Sequence, residues 1–267
     1  MQLTKQSAIL LPQEPGLEGV YKQIELAART CYKSEDRTTP ESAKRMVDAL
    51  IKNEHTAMLE HGTVYLYIPF LGNGITISHY INNPYSIARA VTSEEGCAIT
   101  TNYRVLVENK WTDDLKYLIT EPTEEWEQRY TVKVVTNMQV SNELVRHRAM
   151  SYGQESSRYC NYSKDKFNNE LTFIYPNWLK TSTFQSQIIW LRQMERVEYD
   201  YLALLKEGWK PEQAAQVLPK ATKTELVITG TETQWKNWLN LRFYEKTGKV
   251  HPQMKELSTL VKDILPI

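Results

Sequence analysis

The sequence predicts a mixed α and β fold, built as one domain with a large helical share. Residues 17–33 and 183–207 carry apolar side chains at the spacing of one helix face, which is typical of amphipathic helices. Residues 131–140 and 224–229 are rich in β-branched side chains, which favour strands. Neither an internal repeat nor a low-complexity linker divides the 267 residues, so we expect one domain over residues 1–267.

The composition is that of an ordinary globular protein, with 41% hydrophobic and 24% charged residues. The 32 basic and 32 acidic side chains give no net charge, which argues against a non-specific nucleic-acid binder. The three cysteines form no CxxC pair, and the five histidines lack metal-ligand spacing, so we predict no disulfide framework and no metal site. We expect the cytoplasm as the compartment and no membrane association, because no apolar run approaches the roughly twenty residues that span a bilayer.

The first half of the chain is predicted to begin with two helices. The helix over 17–33 is followed by one that starts at Thr39 and Pro40, because proline suits the first helical position. Residues 62–68 alternate apolar and polar side chains, as a strand with two different faces does. The next segments are predicted as a turn over 72–74, a short helix over 86–91, a strand over 103–107, and helices over 113–120 and 124–130.

The second half is predicted to start with a central strand over 131–140. A helix that Ser141 or Asn142 caps should follow, and Arg146, His147 and Arg148 on this helix cannot all point the same way. Gly153 is expected to mark the turn where this helix ends. The remaining predictions are a loop over 159–166, a strand over 171–175, helices over 183–207 and 211–218, a strand over 224–229, a helix capped by Thr231 that runs to about residue 243, and a last helix from Pro252.

The stretch over 146–159 is the strongest candidate site. It holds three Arg, three Ser, two Tyr, one His, one Gln and one Glu in fourteen residues. Arginine is almost never buried unpaired, and its planar fork of donors matches phosphate and carboxylate oxygens. The stretch therefore predicts a site for a ligand with phosphates and a flat polar ring, although a surface helix followed by a solvated loop has a similar composition.

This stretch resembles the signature of the flavin-dependent thymidylate synthases. The signature is an Arg-His-Arg triplet, seven further residues, a Ser, and then an Arg and a Tyr, and the matching residues are Arg146, His147, Arg148, Ser151, Gln154, Ser156, Arg158 and Tyr159. The resemblance extends over most of the chain, and residues 69–128 form an insertion relative to the shortest members. It implies an α+β fold of mixed helices and antiparallel sheet.

The resemblance also implies an activity. Members of the family transfer a one-carbon unit from methylenetetrahydrofolate to deoxyuridylate (dUMP), with FAD as the cofactor and NADPH as the reductant, and give dTMP and tetrahydrofolate. They are homotetramers with sites at subunit interfaces. We therefore expect dUMP and folate as partners and no nucleic acid.

Individual roles follow residue by residue from the same resemblance. Arg242 matches the residue against the uracil ring, where a fixed cation favours the ionised, electron-rich ring. The positions that match flavin contacts are His55, Ala57, Glu60, Arg146, His147, Arg148, Gln154, Thr231, Thr233 and Asn237. The positions that match dUMP contacts are Glu143, Leu144, Val145, Arg146, Gln154, Glu155, Ser156, Ser157, Arg158, Ala215 and Arg242.

Some of these positions depart from the family pattern. Ala215 stands where many members have an Arg that contacts the nucleotide, so either another cation such as Lys220 or Lys223 substitutes for it or the affinity for the nucleotide is weaker. Thr231 and Thr233 stand where Asn and Arg are common near the flavin. Two alternatives therefore stay open: a family member that keeps flavin without synthase activity, and a single-stranded nucleic-acid-binding module in which Arg, Lys and Tyr interleave through 146–166.

Overall fold

The computed structural model describes residues 1–91 and 95–267 of the protein. Its α-helices are α1 (Gly16–Tyr32), α2 (Ser42–Lys52), α3 (Gly74–Ile81), α4 (Tyr103–Asn109), α5 (Met138–Leu144), α6 (Phe184–Lys206), α7 (Pro211–Ala214), α8 (Glu232–Arg242) and α9 (Pro252–Ile264). Its strands are β1 (Gln2–Thr4), β2 (Ser7–Leu10), β3 (Thr63–Pro69), β4 (Ile87–Ala90), β5 (Gly96–Asn102), β6 (Arg129–Asn137), β7 (Ser151–Gln154), β8 (Thr172–Ile174) and β9 (Lys223–Thr231). Short 3₁₀ segments cover Glu35–Arg37, Thr56–His61, Thr112–Tyr117, Asp165–Phe167, Leu179–Thr181 and Ala215–Val217.

The strands of the described residues form two antiparallel sheets and one short parallel pair. The first sheet has the order β2-β6-β9-β7 and the second the order β3-β5-β4, while β1 pairs with β8. The longest ladder joins β6 to β9, from Arg129 opposite Thr231 to Asn137 opposite Lys223. Helices together with mainly antiparallel strands confirm the predicted α+β class.

The core lies where β6 and β9 are covered by the last two helices. Val132 and Val134 of β6 and all the apolar side chains of β9 are buried, because a central strand is covered on both faces. They form one cluster with α8 and α9, which includes Val132, Val134, Leu226, Ile228, Trp235, Trp238, Met254 and Leu257. A second cluster joins α1 and α2 to the sheet β3-β5-β4 through Ile24, Val47, Leu66 and Ile99. The two cores meet where α1 packs against β7 and β9.

The strongly periodic segments have the predicted structure. The helix expected over 183–207 is α6, and the hydroxyl oxygen of Thr183 caps it by accepting from the backbone N–H of Ser186 at 3.3 Å. The helix expected after Thr231 is α8, where Thr231 accepts from the N–H of Gln234. The strands expected over 131–140 and 224–229 are β6 and β9, and the other confirmed elements are α1, β3, β8 and α9. Helix α2 is present, but its predicted start at Thr39 and Pro40 is wrong: it begins at Ser42, because the Ser42 hydroxyl bonds to the backbone of Thr39 in a turn before the helix. The segment predicted over 211–218 is helical but broken into α7 and the 3₁₀ segment Ala215–Val217.

Three predictions within 69–128 are wrong. Residues 86–91 contain strand β4 rather than a helix, because the segment is too short to show a period and pairs with β5 instead. Residues 103–107 belong to helix α4 rather than a strand, because the side chain of Asn102 caps it by accepting from the N–H of Val105. Residues 124–130 are not a helix, because Arg129 already begins β6. The segment predicted as helical over 113–120 is 3₁₀, at Thr112–Tyr117.

The predictions between 138 and 154 also need correction. The cap is Asn137, which accepts from the N–H of Val140 at 2.8 Å, and not Ser141 or Asn142. Helix α5 begins at Met138 and ends at Leu144, so residues 146–148 lie in the turns after it. Gly153 lies within β7, where an added Cβ would be 3.4 Å from the carbonyl oxygen of Ala27 in α1.

The described residues contain neither a helix that is long and apolar enough to cross a membrane nor a group of three or more His, Cys, Asp or Glu that could hold a metal ion.

The buried cap Asn137 gives a first prediction. Its amide nitrogen also donates to the side-chain oxygen of Gln253 at 2.7 Å, which joins α5 to α9. The variant Asn137→Ala should lower the free energy of unfolding by about 2 kcal/mol, because it removes the cap and leaves Gln253 unsatisfied. Urea unfolding measures this loss. The control Thr183→Ala removes an exposed cap and should cost about 1 kcal/mol or less, and an equal loss in both variants would contradict the role of Asn137.

Candidate functional site

A cavity of about 630 Å³ collects predicted site residues from distant parts of the chain. Glu60 comes from the 3₁₀ segment Thr56–His61, Arg148 from the turns after α5, and Thr231 from the end of β9. The sequence predicts all three as flavin contacts. The fold brings them to the wall of one cavity, although they are far apart in sequence.

The charges around this cavity do not cancel. Arg104 and Arg129 line it together with Arg148, whereas Glu60 and Glu108 are its carboxylates. Three guanidinium groups therefore face two carboxylates, and the surplus positive charge favours an anionic ligand.

Arg129 is a partly buried arginine of the cavity wall. Its Nη1 donates to the carbonyl oxygen of Thr101 at 3.2 Å and its Nη2 to the carbonyl oxygen of Glu60 at 3.1 Å. Among residues 1–91 and 95–267 it forms no ion pair with a carboxylate. Burial lowers the pKa of the Arg129 guanidinium, since a charge removed from water without a counter-charge is destabilised.

The two arginines of the triplet differ in position. Arg148 lines the cavity, whereas Arg146 is exposed away from it. Neither side chain forms an ion pair or a hydrogen bond to any part of the chain that the structure describes. The two arginines therefore lie in different surroundings, as expected for side chains that cannot point the same way, but the cause is the turns after α5 and not a helix.

A second cluster surrounds Arg242 at the end of α8. Its Nη2 donates to the carbonyl oxygen of Glu143 at 3.3 Å, while its buried Nε and the buried Nε2 of His147 have no hydrogen-bond partner in the described residues. Burial and the nearby Arg242 cation lower the pKa of His147. The hydroxyl of Tyr152 donates to the carbonyl oxygen of His147 at 2.9 Å, which fixes the backbone at this position.

Helix α5 joins this cluster to Gln154. The Gln154 amide nitrogen lies 3.2 Å from the hydroxyl oxygens of both Ser141 and Thr224, and Ser141 precedes Glu143 by two positions on α5. Residues predicted for dUMP, at 143, 154 and 242, are therefore supported by one short helix.

The residues after Gln154 lie partly in a buried ion-pair network. The Glu155 carboxylate accepts from Tyr162 at 3.2 Å and pairs with Lys223 at 3.1 Å. Lys223 also pairs with Glu225, so it is engaged by two carboxylates. Of the two cations expected to replace an Arg at position 215, Lys220 is exposed and Lys223 is committed to this network.

Arg158 reaches the segment that carries Ala215. Its side chain is 69% exposed and pairs with Glu212 of α7 at 3.1 Å. An exposed pair of this kind contributes little stability, so it can exchange for a ligand anion at small cost.

The other predicted residues are spread over the surface and the core. His55, Ala57, Val145, Thr233 and Asn237 are exposed, and Ser156 and Ser157 are half-buried. Leu144 is fully buried in the core, so its side chain packs there, and the carbonyl oxygen accepts from the N–H of His147.

Two arginines at the cavity were not predicted from the sequence. Arg104 is the second residue of α4, after the Asn102 cap and Tyr103, and Arg129 begins β6. The cap signal at 102 was available in the sequence, but the predicted strand over 103–107 concealed it. Nothing local in the sequence distinguishes Arg129 from a surface arginine.

His61 is buried behind the segment that carries Glu60. Its Nδ1 lies 2.8 Å from the hydroxyl oxygen of Thr229 in β9, and its Nε2 has no hydrogen-bond partner in the described residues. Burial, with a smaller effect of the Arg129 cation, lowers the pKa of His61 to about 3. The ring is therefore neutral in the folded protein at ordinary pH.

Comparisons with known proteins agree with the sequence signature. A family model described as thymidylate synthase complementing protein matches residues 92–267. A flavin-dependent thymidylate synthase of Geobacter sulfurreducens is 29% identical over 127 residues, which are 47% of this chain and 53% of that protein. The corresponding protein of Pyrococcus furiosus is 32% identical over 131 residues, 48% of this chain and 52% of the relative. The chain thus spans about half the length of the curated relatives it matches.

The chain therefore belongs to the thymidylate synthase complementing protein family, which confirms the resemblance to flavin-dependent thymidylate synthases. Among solved structures, a UMP/dUMP methylase of Streptomyces cacaoi bound with 5-Br dUMP has a TM-score of 0.45 and 16% identity, and covers 98% of this chain and 91% of its own. At that score the likeness carries no argument.

The buried His61 gives a second prediction, on the pH dependence of stability. Because the folded pKa lies near 3 and the unfolded value near 6.5, protons bind the unfolded chain first as the pH falls. The His61 contribution is complete above about pH 6.5 and decreases by about 1.4 kcal/mol per pH unit below it. Urea unfolding at pH 7, 6 and 5 should therefore show that the difference in unfolding free energy between the wild type and His61→Asn decreases as the pH falls. If the unfolding free energies of the two proteins changed equally with pH, the result would contradict a neutral buried ring.

Proposed function

We propose that the protein transfers a one-carbon unit from methylenetetrahydrofolate to dUMP, with FAD as the cofactor and NADPH as the reductant. The products would be dTMP and tetrahydrofolate. The observation that carries the proposal is the convergence of Glu60, Arg148 and Thr231 on one cavity with surplus positive charge. The names of the curated relatives support the same activity.

The cavity residues fit a flavin dinucleotide. Arg148 has no partner among the described residues, and Arg129 donates only to carbonyl oxygens, so both remain suited to the phosphates. The neutral side chains of Asn83, Asn102 and Gln234 line the same cavity and offer the hydrogen-bonding groups that a ring edge needs. When bound, the flavin supplies the hydride that reduces the transferred carbon to a methyl group.

The cluster around Arg242 fits the uracil of dUMP. The buried Nε of Arg242 and the buried Nε2 of His147 are polar atoms without a partner in the described residues, and such atoms are costly unless a ligand satisfies them. In the proposed role, the Arg242 cation beside the imide favours the electron-rich ring that attacks the one-carbon unit. Arg242 keeps its place because Glu143 accepts one of its hydrogen bonds through the backbone.

We also propose the homotetramer with sites at subunit interfaces, in the cytoplasm. The exposed, unpartnered Arg146 and the exposed pair of Arg158 with Glu212 support it, because these groups do not line the cavity of their own chain. In that arrangement a second chain would complete each site.

The activity is tested with purified protein, and this is a third prediction. We expect a yellow preparation that carries flavin and that converts dUMP to dTMP when methylenetetrahydrofolate and NADPH are added, measured by chromatography of the nucleotides. A yellow protein that forms no dTMP would instead identify a flavin-binding member without synthase activity. A colourless protein that binds single-stranded RNA would overturn the proposal in favour of a nucleic-acid-binding module.

Arg148 gives a fourth prediction. The variant Arg148→Ala should weaken FAD binding about tenfold or more although Arg146 remains, because a charge-assisted hydrogen bond contributes about 1.5–3 kcal/mol. Quenching of flavin fluorescence measures the dissociation constant. Arg196→Ala, which removes an exposed arginine of α6 paired with Asp200, is the control. Unchanged flavin content in Arg148→Ala would count against the assigned role.

A further inference from the structure

The segment over 69–128 forms part of the cavity wall. Asn83, Tyr85, Asn102, Arg104 and Glu108 all come from this segment and line the cavity with Glu60 and Arg148. The sequence identifies the segment only as an insertion. In the fold it lies against the predicted flavin contacts instead of forming a separate lobe.

Arg104 connects this segment to the turn that carries Glu60. Its Nη1 lies 2.5 Å from the Glu60 carboxylate, and its Nε lies 2.8 Å from the carboxylate of Glu108 one turn later on α4. Glu108 also accepts from the hydroxyl of Thr56 at 2.7 Å. The hydrogen bond from Thr56 and the Arg104 cation lower the pKa of Glu108, so the carboxylate is charged and holds Arg104 in place.

The guanidinium of Arg104 retains unused donors. It has five N–H groups, and the described contacts use those on Nε and Nη1. The side chain is 35% exposed and lines the cavity. A guanidinium that two carboxylates hold through Nε and Nη1, with free donors at a cavity, can bind an anion in a fixed orientation.

We propose that Arg104 contacts the anionic part of the ligand, and that the segment over 69–128 thereby determines selectivity for a phosphate-bearing flavin. This inference rests on the proposed function of the cavity. Arg104 then acts with Arg148 and Arg129, so that three guanidinium groups from different elements surround the phosphates. The charges of Glu60 and Glu108 orient Arg104 and do not neutralise all three cations.

The test compares FAD with riboflavin, which has the same ring system without phosphate. Dissociation constants come from quenching of flavin fluorescence for the wild type, Arg104→Lys and the double variant Arg104→Gln with Glu108→Gln. The double variant keeps the net charge of the cavity, because it removes one cation and one carboxylate. A loss of FAD affinity in this variant would therefore come from the lost contact with Arg104 and not from a change in the net charge of the cavity.

We expect the double variant to bind FAD about tenfold more weakly and riboflavin within about twofold of the wild type. The FAD dissociation constant of Arg104→Lys should lie between those of the wild type and the double variant, because lysine keeps the charge and loses the planar fork of donors. Far-UV circular dichroism and thermal unfolding of each variant verify that the fold is intact, and Arg196→Gln is the surface control.

The results separate the two proposals. A wild type that binds FAD, with a double variant that binds FAD equally well, overturns the role of Arg104 and leaves the proposed function standing. An equal loss for FAD and riboflavin also overturns it, because it identifies Arg104 as a support of the turn at Glu60 and not a phosphate contact. A wild type that binds neither flavin overturns the proposed function itself.

Discussion

The guanidinium of Arg129 joins the two antiparallel sheets to the turn that carries Glu60. It belongs to β6 of the first sheet and donates to the carbonyl oxygens of Thr101 in β5 and of Glu60, while its backbone N–H donates to the Tyr65 hydroxyl in β3 at 3.0 Å. These bonds set how the segment over 69–128 lies against β6. Without these bonds the two walls of the cavity would not be held in position relative to each other, because each wall belongs to a different sheet. Burying this charge is unfavourable, and an anion in the cavity would offset the cost.

A second group of buried charges, around Glu225, is fully paired. Glu225 pairs with Lys33 at 2.6 Å and with Lys133 at 2.8 Å, and Lys223 bridges Glu225 to Glu155. Although burial opposes it, the cations of Lys223 and Lys33 hold the pKa of Glu225 below its usual range. Every charge there has an opposite charge close by, so this network supports the fold behind the stretch over 154–158. The cavity differs because the Arg148 and Arg129 side chains there have no carboxylate partner among the described residues, which is why the ligand is expected there and not at the network.

Long elements were predictable because their apolar or β-branched side chains form a pattern within the element itself. Helix α6 and strands β6 and β9 bury a regular set of side chains, and Thr183 and Thr231 cap their helices through contacts three residues away. Short elements were not predictable in the same way. Strand β4 exists only because β5 offers it a partner, and α5 begins four residues earlier than expected because Asn137 is also fixed by Gln253, 116 residues away. Both depend on contacts that no local pattern records.

The sequence by itself determined the family, the α+β class and the Arg-His-Arg part of the candidate site, because a signature of spaced Arg, His, Ser and Gln is a local property. Only the tertiary structure decided which of those residues share a cavity. Arg146 and Arg148 are two positions apart in the chain, yet only Arg148 lines the cavity, because the turns after α5 and not a helix set their directions. Arg104 and Arg129 entered the site through the pairing of distant strands, and the position of a side chain in space depends on such pairing and not on its neighbours in sequence.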